Sequence, residues 1–513
     1  MRSIYSLLLL VCIILVSSCR NDFDTTPSTG DLRFSRDTIF LDTVFTNIGS
    51  STYNFKVYND SDEIVNIPSV RLTTGDESDY RLNIDGVPGR TFENVEILAN
   101  DSIFVFVETT TDINEVGAGS LEFLNTEAIE FDSGPNQQKV ELVTLIKDAI
   151  FLFADRDEET GMVETLTING TETVLEGRFL TDDELTFTNE KPYVIYGYMA
   201  VGTPDGNTPK TLTIEPGARV HFHADSGIIV GDNGTLDING ALSTDPELME
   251  NEVIFEGDRL EPSFSDTPGQ WGTILLTDGS VNNEIEYATI KNATAGIINE
   301  SNTGSGAPDL TITNTQIYNA SAAGLINRFS TVEGSNVVIN NCGQFAMLVQ
   351  LGGTYNFTHC TFANYWTRSF RNTPAVFLDN TFAGFGNDLV EANFTNCIIY
   401  GNQGEEIGFN ADPIAPFNYN FRNTHIRFDD TFGNFENDPL FDFTNTTLYT
   451  DVIRGGNPDF QDEFNNLLQV GEDTAGNGQG LQSAANQFPL DIKGVSRTTA
   501  PDLGAYESIE LPE

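Results

Sequence analysis

The feature that most constrains this chain is a short internal repeat in its second half. A small residue, an apolar residue two places later and an Asn four places later recur together. The four complete copies are Ala288/Ile290/Asn292, Thr315/Ile317/Asn319, Val337/Ile339/Asn341 and Cys360/Phe362/Asn364. Two further copies without the Asn are Cys397/Ile399/Gly401 and Thr424/Ile426/Phe428. Such a repeat predicts stacked units that bury one continuous core together.

The residues just before each small position indicate a corner in the chain. An apolar residue stands three places before the small one in five of the six copies. The residue immediately before the small one is Tyr287, Asn314, Asn336, His359, Asn396 or Asn423. The two-residue alternation that is typical of a strand is interrupted between these positions. Asn tolerates the left-handed backbone that a tight turn needs. We therefore expect a corner at this residue in every copy.

Successive copies lie between 22 and 37 residues apart. This spacing fits one coil of a parallel β-helix, which needs three short strands and three turns, with insertions at the turns. Equivalent residues would then lie above one another along the axis. We predict a buried column of small residues, in which Cys360 and Cys397 act as small apolar groups. The Asn at 292, 319, 341 and 364 would form a ladder of hydrogen-bonded amides.

Segments on both sides of the repeat carry a family resemblance. Leu212–Gly217 and Pro268–Gly272 resemble the opening coils of right-handed parallel β-helix proteins of the pectin-lyase-like superfamily, and Pro489–Gly494 and Pro501–Glu507 resemble their closing segment. The resemblance covers roughly residues 210 to 507. It implies a β-helix over 211–430, preceded by a linker and cap over 148–210 and followed by a closing segment over 431–513. The two open edges of such a stack need covering.

Residues 32–147 have a different texture, with short alternating runs separated by polar turn clusters. The clearest runs are Tyr53–Val57, Ile103–Val107 and Val140–Leu145. Several half-buried strands in one such stretch predict an antiparallel, immunoglobulin-like β-sandwich. No Cys pair or Trp marks it, so the prediction rests on the strand count. The expected fold class is all-β, a sandwich followed by a β-helix.

The N-terminus has the features of an export signal. Residues 1–19 contain one Arg, an apolar run from Ile4 to Val16 and the sequence Val16-Ser17-Ser18-Cys19. The run is too short to span a bilayer. The last four residues resemble the bacterial lipobox, which implies that Cys19 carries the lipid and that residues 20–31 form a tether. An ordinary signal peptide with a chance Cys is the alternative.

These features together resemble the surface lipoproteins of Bacteroidetes, a group mostly without assigned activity. The resemblance implies an outer-membrane protein held by an N-terminal lipid anchor, with the chain on the cell surface or on the periplasmic face. The formal net charge of −51 excludes nucleic acid as a partner, because phosphate binding needs a basic surface. The same charge argues against acidic polysaccharides, unless a local Arg cluster holds them.

We find no catalytic residues and no metal site in the sequence. The calcium and Arg columns of pectate lyases and the Gly-His-Gly and Arg-Ile-Lys signatures of polygalacturonases are missing. His221 and His223 alternate on one strand face and would need a third ligand to hold a metal. His359 and His425 have the pattern of turn or solvated residues. The remaining Cys342, Cys360 and Cys397 lack the spacing of a disulfide framework or zinc site.

No cofactor is expected, with one structural ion left open. Asp155–Gly161 has the acidic alternation of a calcium loop but lacks Gly at its sixth place. A solvated linker is the preferred interpretation of this segment.

The insertion between Tyr365 and Glu391 supplies the candidate ligand-binding residues. Tyr365, Trp366, Arg368 and Arg371 combine aromatic rings and two Arg in an acidic chain. Sugars stack on aromatic faces beside polar groups, so these residues form a candidate glycan site. A loop that packs its aromatics on the outer sheet would give the same sequence.

The expected function is that of a non-catalytic, outer-membrane-anchored lipoprotein. It would present a β-helix scaffold for binding, adhesion or cell-envelope structure, with glycans or envelope proteins as partners. The alternative is a polysaccharide lyase or glycoside hydrolase with a site on the β-helix. Two carboxylates and an Arg converging in one cleft would favour the enzyme, whereas smooth apolar or Asn-lined faces would favour the scaffold.

Overall fold

The computed structural model describes residues 25–117, 119–168, 170–246 and 248–512. The chain is all-β apart from short helical turns, and it divides into two compact units, Met1–Asp148 and Ala149–Glu513. Cys19, the signal segment 1–19 and the start of the tether lie outside the described residues. No helix in the described part is long and apolar enough to cross a membrane.

The first unit contains two β-sheets. Its strands are β1 (Thr25–Pro27), β2 (Arg33–Phe34), β3 (Thr38–Phe45), β4 (Tyr53–Asn59), β5 (Ile64–Leu72), β6 (Tyr80–Ile84), β7 (Val87–Gly89), β8 (Thr91–Ile97), β9 (Asp101–Thr109), β10 (Glu122–Phe131) and β11 (Gln138–Lys147), with one short helix α1 (Ile113–Val116). Strands β1, β3, β5, β8, β10 and β11 form one sheet, and β2, β4, β6, β7 and β9 form the other.

The two sheets of the first unit share one apolar core. Alternate side chains of β4 and β9, such as Val57 and Val105, meet Ile129 and Leu142 from the other sheet. The three strands predicted in this region are present as β4, β9 and β11. Most neighbouring strands are antiparallel, but β1 runs parallel to β5 and β3 runs parallel to β11. These two pairs depart from the purely antiparallel arrangement predicted.

The second unit is a stack of coils whose strands recur in register. One strand of each coil belongs to an eleven-stranded parallel sheet. Its strands are β12 (Ile150–Phe153), β16 (Tyr193–Tyr196), β19 (Arg219–Phe222), β22 (Val253–Gly257), β25 (Ala288–Lys291), β28 (Gln316–Tyr318), β30 (Val338–Asn340), β32 (Thr361–Asn364), β37 (Ile398–Gly401), β40 (His425–Ile426) and β42 (Ile453–Arg454).

The other two strands of each coil join into an eighteen-stranded sheet, because two long strands extend across both positions. Its strands are β13 (Thr165–Ile168), β14 (Thr171–Phe179), β15 (Thr186–Phe187), β17 (Tyr198–Val201), β18 (Lys210–Ile214), β20 (Gly227–Val230), β21 (Gly234–Asn239), β23 (Ile274–Leu276), β24 (Asn283–Glu286), β26 (Ala295–Asn299), β27 (Leu310–Thr313), β29 (Ala323–Ser335), β31 (Phe345–Thr358), β33 (Val376–Asp379), β36 (Leu389–Thr395), β38 (Ile407–Asn410), β39 (Asn420–Arg422) and β41 (Tyr449–Thr450).

A few elements lie outside these two sheets. They are the hairpin of β34 (Thr381–Phe382) and β35 (Phe385–Gly386), the hairpin of β43 (Phe460–Asp462) and β44 (Leu467–Val470), and the helix α2 (Gln482–Ala485). Within the eighteen-stranded sheet, β13 and β14 form an antiparallel hairpin, while the later pairings are parallel.

The predicted alignment of the repeat is confirmed residue by residue. The apolar position of each copy lies opposite that of the next copy, in the order Ile290, Ile317, Ile339, Phe362, Ile399 and Ile426. The position three before the small residue is aligned in the same way through Ile285, Ile312, Gly334, Phe357, Phe394 and Phe421. The small residues themselves are buried, as predicted for an inner column.

The predicted corner is also confirmed. All six corner residues have φ between 45° and 56°, in the left-handed region. Four of the six are Asn, which accepts this conformation at lower cost than most residues. The corner therefore turns each coil from the eighteen-stranded sheet into the eleven-stranded one.

The predicted Asn ladder exists only in part. Asn319 Nδ2 donates to Asn292 Oδ1 at 3.3 Å. Asn466, from near the C-terminus, stands between the next two rungs: it donates to Asn319 Oδ1 at 3.1 Å and accepts from Asn341 Nδ2 at 2.8 Å. Asn364 donates instead to the carbonyl oxygen of Gln344. A continuous ladder is therefore wrong, because the chain end inserts one amide and Asn364 belongs to a strand.

The chain after β42, here called the tail (residues 455–512), folds back over the outer face of the eleven-stranded sheet. Apolar tail side chains such as Leu468 and Leu503 pack on Val338 and Ile398 of the sheet. Gly504 has φ +90°, and a Cβ there would lie 2.8 Å from Ile398 Cδ1, so the close contact requires glycine. The tail thus follows the last coil in the sequence and also covers the outer face of the later coils.

Arg497 fixes the tail to the corner residue Asn336. Its guanidinium is fully buried and donates to Glu507 Oε1 at 3.0 Å and to Asn336 Oδ1 at 2.6 Å. It also donates to the carbonyl oxygens of Leu490 and Gly504. A buried charge with this many partners is stable only while all of them stay in place.

Candidate functional site

A groove lies where the tail stops covering the outer face of the eleven-stranded sheet. Its volume is about 560 Å³. We call it the sheet groove; its main lining residues are Glu252, Thr289, Lys291, Gln316 and Tyr318 beside the sheet and Leu467, Ile492, Lys493 and Tyr506 from the tail.

The strand period of two places the polar side chains of the groove on the outer face. Thr289 and Lys291 flank the inward Ile290, and Gln316 and Tyr318 flank the inward residue of the next coil. Thr289 lies opposite Gln316 and Lys291 lies opposite Tyr318 in the parallel register. The sheet therefore presents a regular two-column array of polar groups.

A chain of hydrogen bonds fixes the orientation of these groups. Tyr318 and Tyr506 both donate their hydroxyl hydrogens to Gln316 Oε1, at 2.5 and 3.2 Å. Gln316 Nε2 donates to Thr289 Oγ1 at 3.3 Å, and that hydroxyl donates to Glu252 Oε2 at 3.3 Å. These hydrogen bonds thus hold the remaining lone pairs of the polar groups and the ring faces of the two Tyr in fixed positions.

The electrostatics of the groove are close to neutral. Burial raises the pKa of Glu252, and it raises the pKa values of Tyr318 and Tyr506 as well. Lys291 Nζ lies 2.7 Å from Glu256 Oε2, so its charge is matched by a carboxylate. Lys493 is exposed at the rim. The groove combines a polar floor with a tail side that mixes apolar residues such as Leu467 and Ile492 with polar ones, and no Arg lines the part that the structure describes.

The structure separates the four candidate residues of the insertion. Tyr365 is buried against Phe460 and Phe464 of the tail, with ring centroids 6.1 and 5.7 Å away. Trp366 is buried and donates its Nε1 hydrogen to Ser369 Oγ at 2.9 Å. These rings pack inside the protein, as in the alternative of a loop laid on the outer sheet.

The two Arg of the insertion also have structural partners. Arg371 is buried in a two-oxygen ion pair with Glu406, with closest atoms 2.7 Å apart, and it also donates to Asn402 Oδ1. Arg368 is exposed and donates to the carbonyl oxygen of Asp266 at 2.6 Å. The four residues do not share one open face. The exposed aromatics of the insertion are Phe370, Phe382 and Phe385.

The histidines fall into two pairs. His221 and His223 each face a carboxylate on the next coil, with His221 Nδ1 3.7 Å from Glu256 and His223 Nδ1 2.8 Å from Asp258. His359 and His425 are fully buried, so neither side chain is solvated. The alternative of a turn residue is confirmed for His359, which lies at its corner with φ 54°. The tail covers both, and His425 Nε2 lies 2.6 Å from the carbonyl oxygen of Gly455.

The structure brings no metal-binding group together in its described part, where no three His, Cys, Asp or Glu side chains converge. In the acidic segment 155–161, Asp157 Oδ1 accepts hydrogen bonds from the amides of Glu159 and Thr160 and from the Thr160 hydroxyl. These bonds lower the pKa of Asp157 and use the carboxylate within its own loop.

Sequence reasoning missed the sheet groove because half of it comes from the tail. Tyr506 lies 190 residues from Gln316, to which it donates. The polar pairs that flank Ile290 and Ile317 were the available signal, but such residues are also usual on a solvent-exposed strand face.

Comparisons with known proteins add little to this description. No family model and no curated protein matches the chain. Among solved structures, a family 123 glycoside hydrolase from Clostridium perfringens is 9% identical, with a TM-score of 0.16 over 23% of this chain and 26% of that one. The PapD-like domain 7 of human CEP192 is 11% identical, with a TM-score of 0.15 over 26% of this chain and 94% of that one. These TM-scores are too low to indicate a common fold.

Proposed function

We propose that this protein is a non-catalytic lipoprotein that binds glycans through the sheet groove. In this proposal, Cys19 carries the lipid anchor in the outer membrane. The first unit is an immunoglobulin-like sandwich, and the second is a right-handed parallel β-helix of the pectin-lyase-like type. The rigid stack presents its ligand at the cell surface or on the periplasmic face, as in surface lipoproteins of Bacteroidetes.

The observation that carries the glycan proposal is the two-sided character of the groove. One side is the fixed chain from Tyr318 through Gln316 and Thr289 to Glu252. The other side comes from the tail, where the apolar Leu467, Leu468 and Ile492 lie among polar side chains. A sugar ring has an apolar face and a rim of hydroxyls, so it matches both sides at once. Binding sites of this kind are mostly apolar, with a few placed polar groups.

The composition of the groove supports binding rather than catalysis. Its polar groups are already joined to one another, and its one strongly basic sheet residue, Lys291, is paired with Glu256. Two carboxyl groups, Glu252 and Asp266, line the groove, and they accept hydrogen bonds from Thr289 and Asn319. Glycosidic cleavage needs a pair of carboxyl groups that act on either side of a sugar bond. A lyase or hydrolase stays the alternative that the experiment must separate.

The test is a glycan array combined with a depolymerisation assay on the full-length protein in detergent. We expect binding without product release, and a roughly tenfold or smaller loss of affinity in Gln316→Ala, which removes the shared hydroxyl acceptor. The matched control is Phe385→Ala, an exposed ring of the insertion, which should bind like the parent. No glycan binding by the parent, or equal loss in both variants, would contradict the groove, and product release would contradict the non-catalytic part.

The anchor is tested separately. Cells that express the parent chain should incorporate labelled palmitate into it, and Cys19→Ala should abolish the labelling. The retained label in that variant would contradict the lipid attachment.

A further inference from the structure

We propose that a cavity at the first coils of the second unit is an additional binding site, for a single neutral sugar ring. The cavity has a volume of about 1060 Å³. It lies beside β12, the hairpin of β13 and β14, and the ends of β16 and β19. The ligand class is the one proposed for the sheet groove, but no residue is shared between the two sites.

Aligned side chains on successive coils form one wall of this cavity. Phe153 lies opposite Tyr196 in the parallel register. The Tyr196 ring stacks on the His223 ring, with centroids 4.3 Å apart and planes 20° apart. His223 in turn contacts Asp258 on the next coil. All lie on the outer face, because their neighbours Leu152, Ile195 and Phe222 are buried in the core.

Asp258 sets the hydrogen-bonding role of His223. Its Oδ2 lies 2.8 Å from His223 Nδ1, and its side chain is only 8% exposed. A carboxylate only accepts hydrogen bonds, so Nδ1 carries the hydrogen. In the neutral ring, Nε2 is then an acceptor, and the side chain is 48% exposed beside the cavity. Nothing in the described chain occupies Nε2, so a ligand hydroxyl can donate to it.

The remaining lining supplies an apolar surface and further polar groups. Phe151 and Phe153 offer ring faces, and Phe153 is 58% exposed. Arg156 has no carboxylate within 4.0 Å in the described part of the chain, so its N–H groups are free to donate. Glu176 and Asp225 at the cavity edge can accept. Rings for stacking together with donors and acceptors around them suit the C–H face and the hydroxyls of a sugar.

Charge selects a neutral ligand. Two carboxylates and one guanidinium line the cavity, and the whole chain carries a formal charge of −51. An acidic sugar would meet net repulsion. The volume of about 1060 Å³ is large enough for a sugar ring, so the site would hold the end of a glycan.

The experiment uses saturation-transfer NMR and titration calorimetry on the full-length protein in detergent. The probes are glucose, galactose, mannose and, as the acidic analogue, glucuronate. We expect at least one of the neutral sugars to bind and glucuronate to bind more weakly. Failure of all three neutral sugars, or tighter binding of glucuronate, would overturn the proposal.

His223→Phe is the decisive variant, because it keeps a ring to stack on Tyr196 and removes the Nε2 acceptor. We expect it to weaken sugar binding roughly tenfold, the upper range for one hydrogen bond. Arg156 is exposed and has no side-chain partner among the described residues, so Arg156→Ala should fold. It should weaken binding as well, and it serves as the test if the first variant fails to fold. Unchanged affinity in the folded variants would overturn the assignment.

Gln316→Ala separates this site from the sheet groove. It should bind the single sugar like the parent, because Gln316 does not line the cavity. If the variant loses single-sugar binding while His223→Phe retains it, the cavity proposal fails and the groove proposal stands. If array binding is lost only in His223→Phe, the groove proposal fails instead.

Discussion

The early and the late coils of the second unit have similar interiors but different outer faces. In the early coils, outward positions of the eleven-stranded sheet carry ionisable groups such as His221, Glu256 and Lys291. In the late coils they carry Val338 and Ile398, which the tail covers. Inward residues form the core of the stack, whereas outward residues determine whether the outer face of a coil is exposed to solvent or covered by the tail. Both candidate sites lie where the outer face is polar.

The largest effect is expected when the buried charge that holds the tail on the late coils is removed. Arg497→Ala leaves Glu507 and Asn336 Oδ1 without their donor in a buried place. We expect the free energy of opening of the tail to fall by about 3–5 kcal/mol. Amide hydrogen exchange of residues 460–506 measures it. Arg422→Ala, which removes an exposed Arg, should change the free energy of opening of the tail by less than about 0.5 kcal/mol. Similar changes in the two variants would show that Arg497 does not hold the tail on the late coils.

The next test compares outward residues of the two halves directly. Ile398→Ala on a covered coil should cost about 2–4 kcal/mol in free energy of unfolding, because it leaves a cavity under the tail. Lys291→Met on an open coil should cost less than about 1 kcal/mol, since a partly exposed ion pair contributes little. Urea denaturation followed by circular dichroism gives both values. Equal costs for the two variants would show that outward residues contribute equally to stability in the early and the late coils.

A smaller effect is expected where the two halves meet, at Asn319. Asn319→Gly keeps the left-handed backbone of φ 55° and removes the amide that bonds Asn292 and Asn466. We expect a loss of about 1–2 kcal/mol in unfolding free energy. Asn319→Ala should lose about 1 kcal/mol more, because a Cβ without a polar group disfavours this backbone. Identical losses in the same denaturation experiment would mean that backbone conformation contributes nothing there.

The last test concerns pH and the covered half. Burial raises the pKa of Glu507 to about 7 from an ordinary value of 4.5, although Arg497 opposes the change. The folded state therefore holds this proton more tightly than the unfolded state, and the stabilisation is lost as pH rises from about 4.5 to 7. Glu507→Gln should flatten this part of the stability profile, measured as the difference from the parent at pH 5 and pH 8. An unchanged difference would contradict the shift.

The sequence allowed the interior of the stack to be predicted because its signal is local and repeated. The spacing of Ile290 and Ile317 predicted their pairing, and the Asn before each small residue predicted the left-handed corner. The tail was different, because residues 455–512 have no period and their partners are distant. Arg497 and Asn336 are 161 residues apart, and no local pattern joins them.

The candidate site shows the same limit, because the tail determines which of its residues are exposed. Tyr365 and Arg371 were chosen for their residue types, but the same types serve well in a buried contact, and burial depends on what the tail covers. The outward Gln316 and Tyr318 were visible in the sequence, yet their meaning depended on Tyr506 arriving beside them. Residue chemistry could therefore be read in advance, whereas exposure could not.

The position of Asn466 has a consequence for biosynthesis. This one amide bonds Asn319, Asn340 and Asn341, which belong to neighbouring coils, so it fits only when those coils have stacked in their correct order. Asn466 follows these coils in the sequence, so it is synthesised after them. Chains that stop before the tail would leave the apolar outer residues around Ile398 exposed, and an exposed apolar patch of this kind favours aggregation.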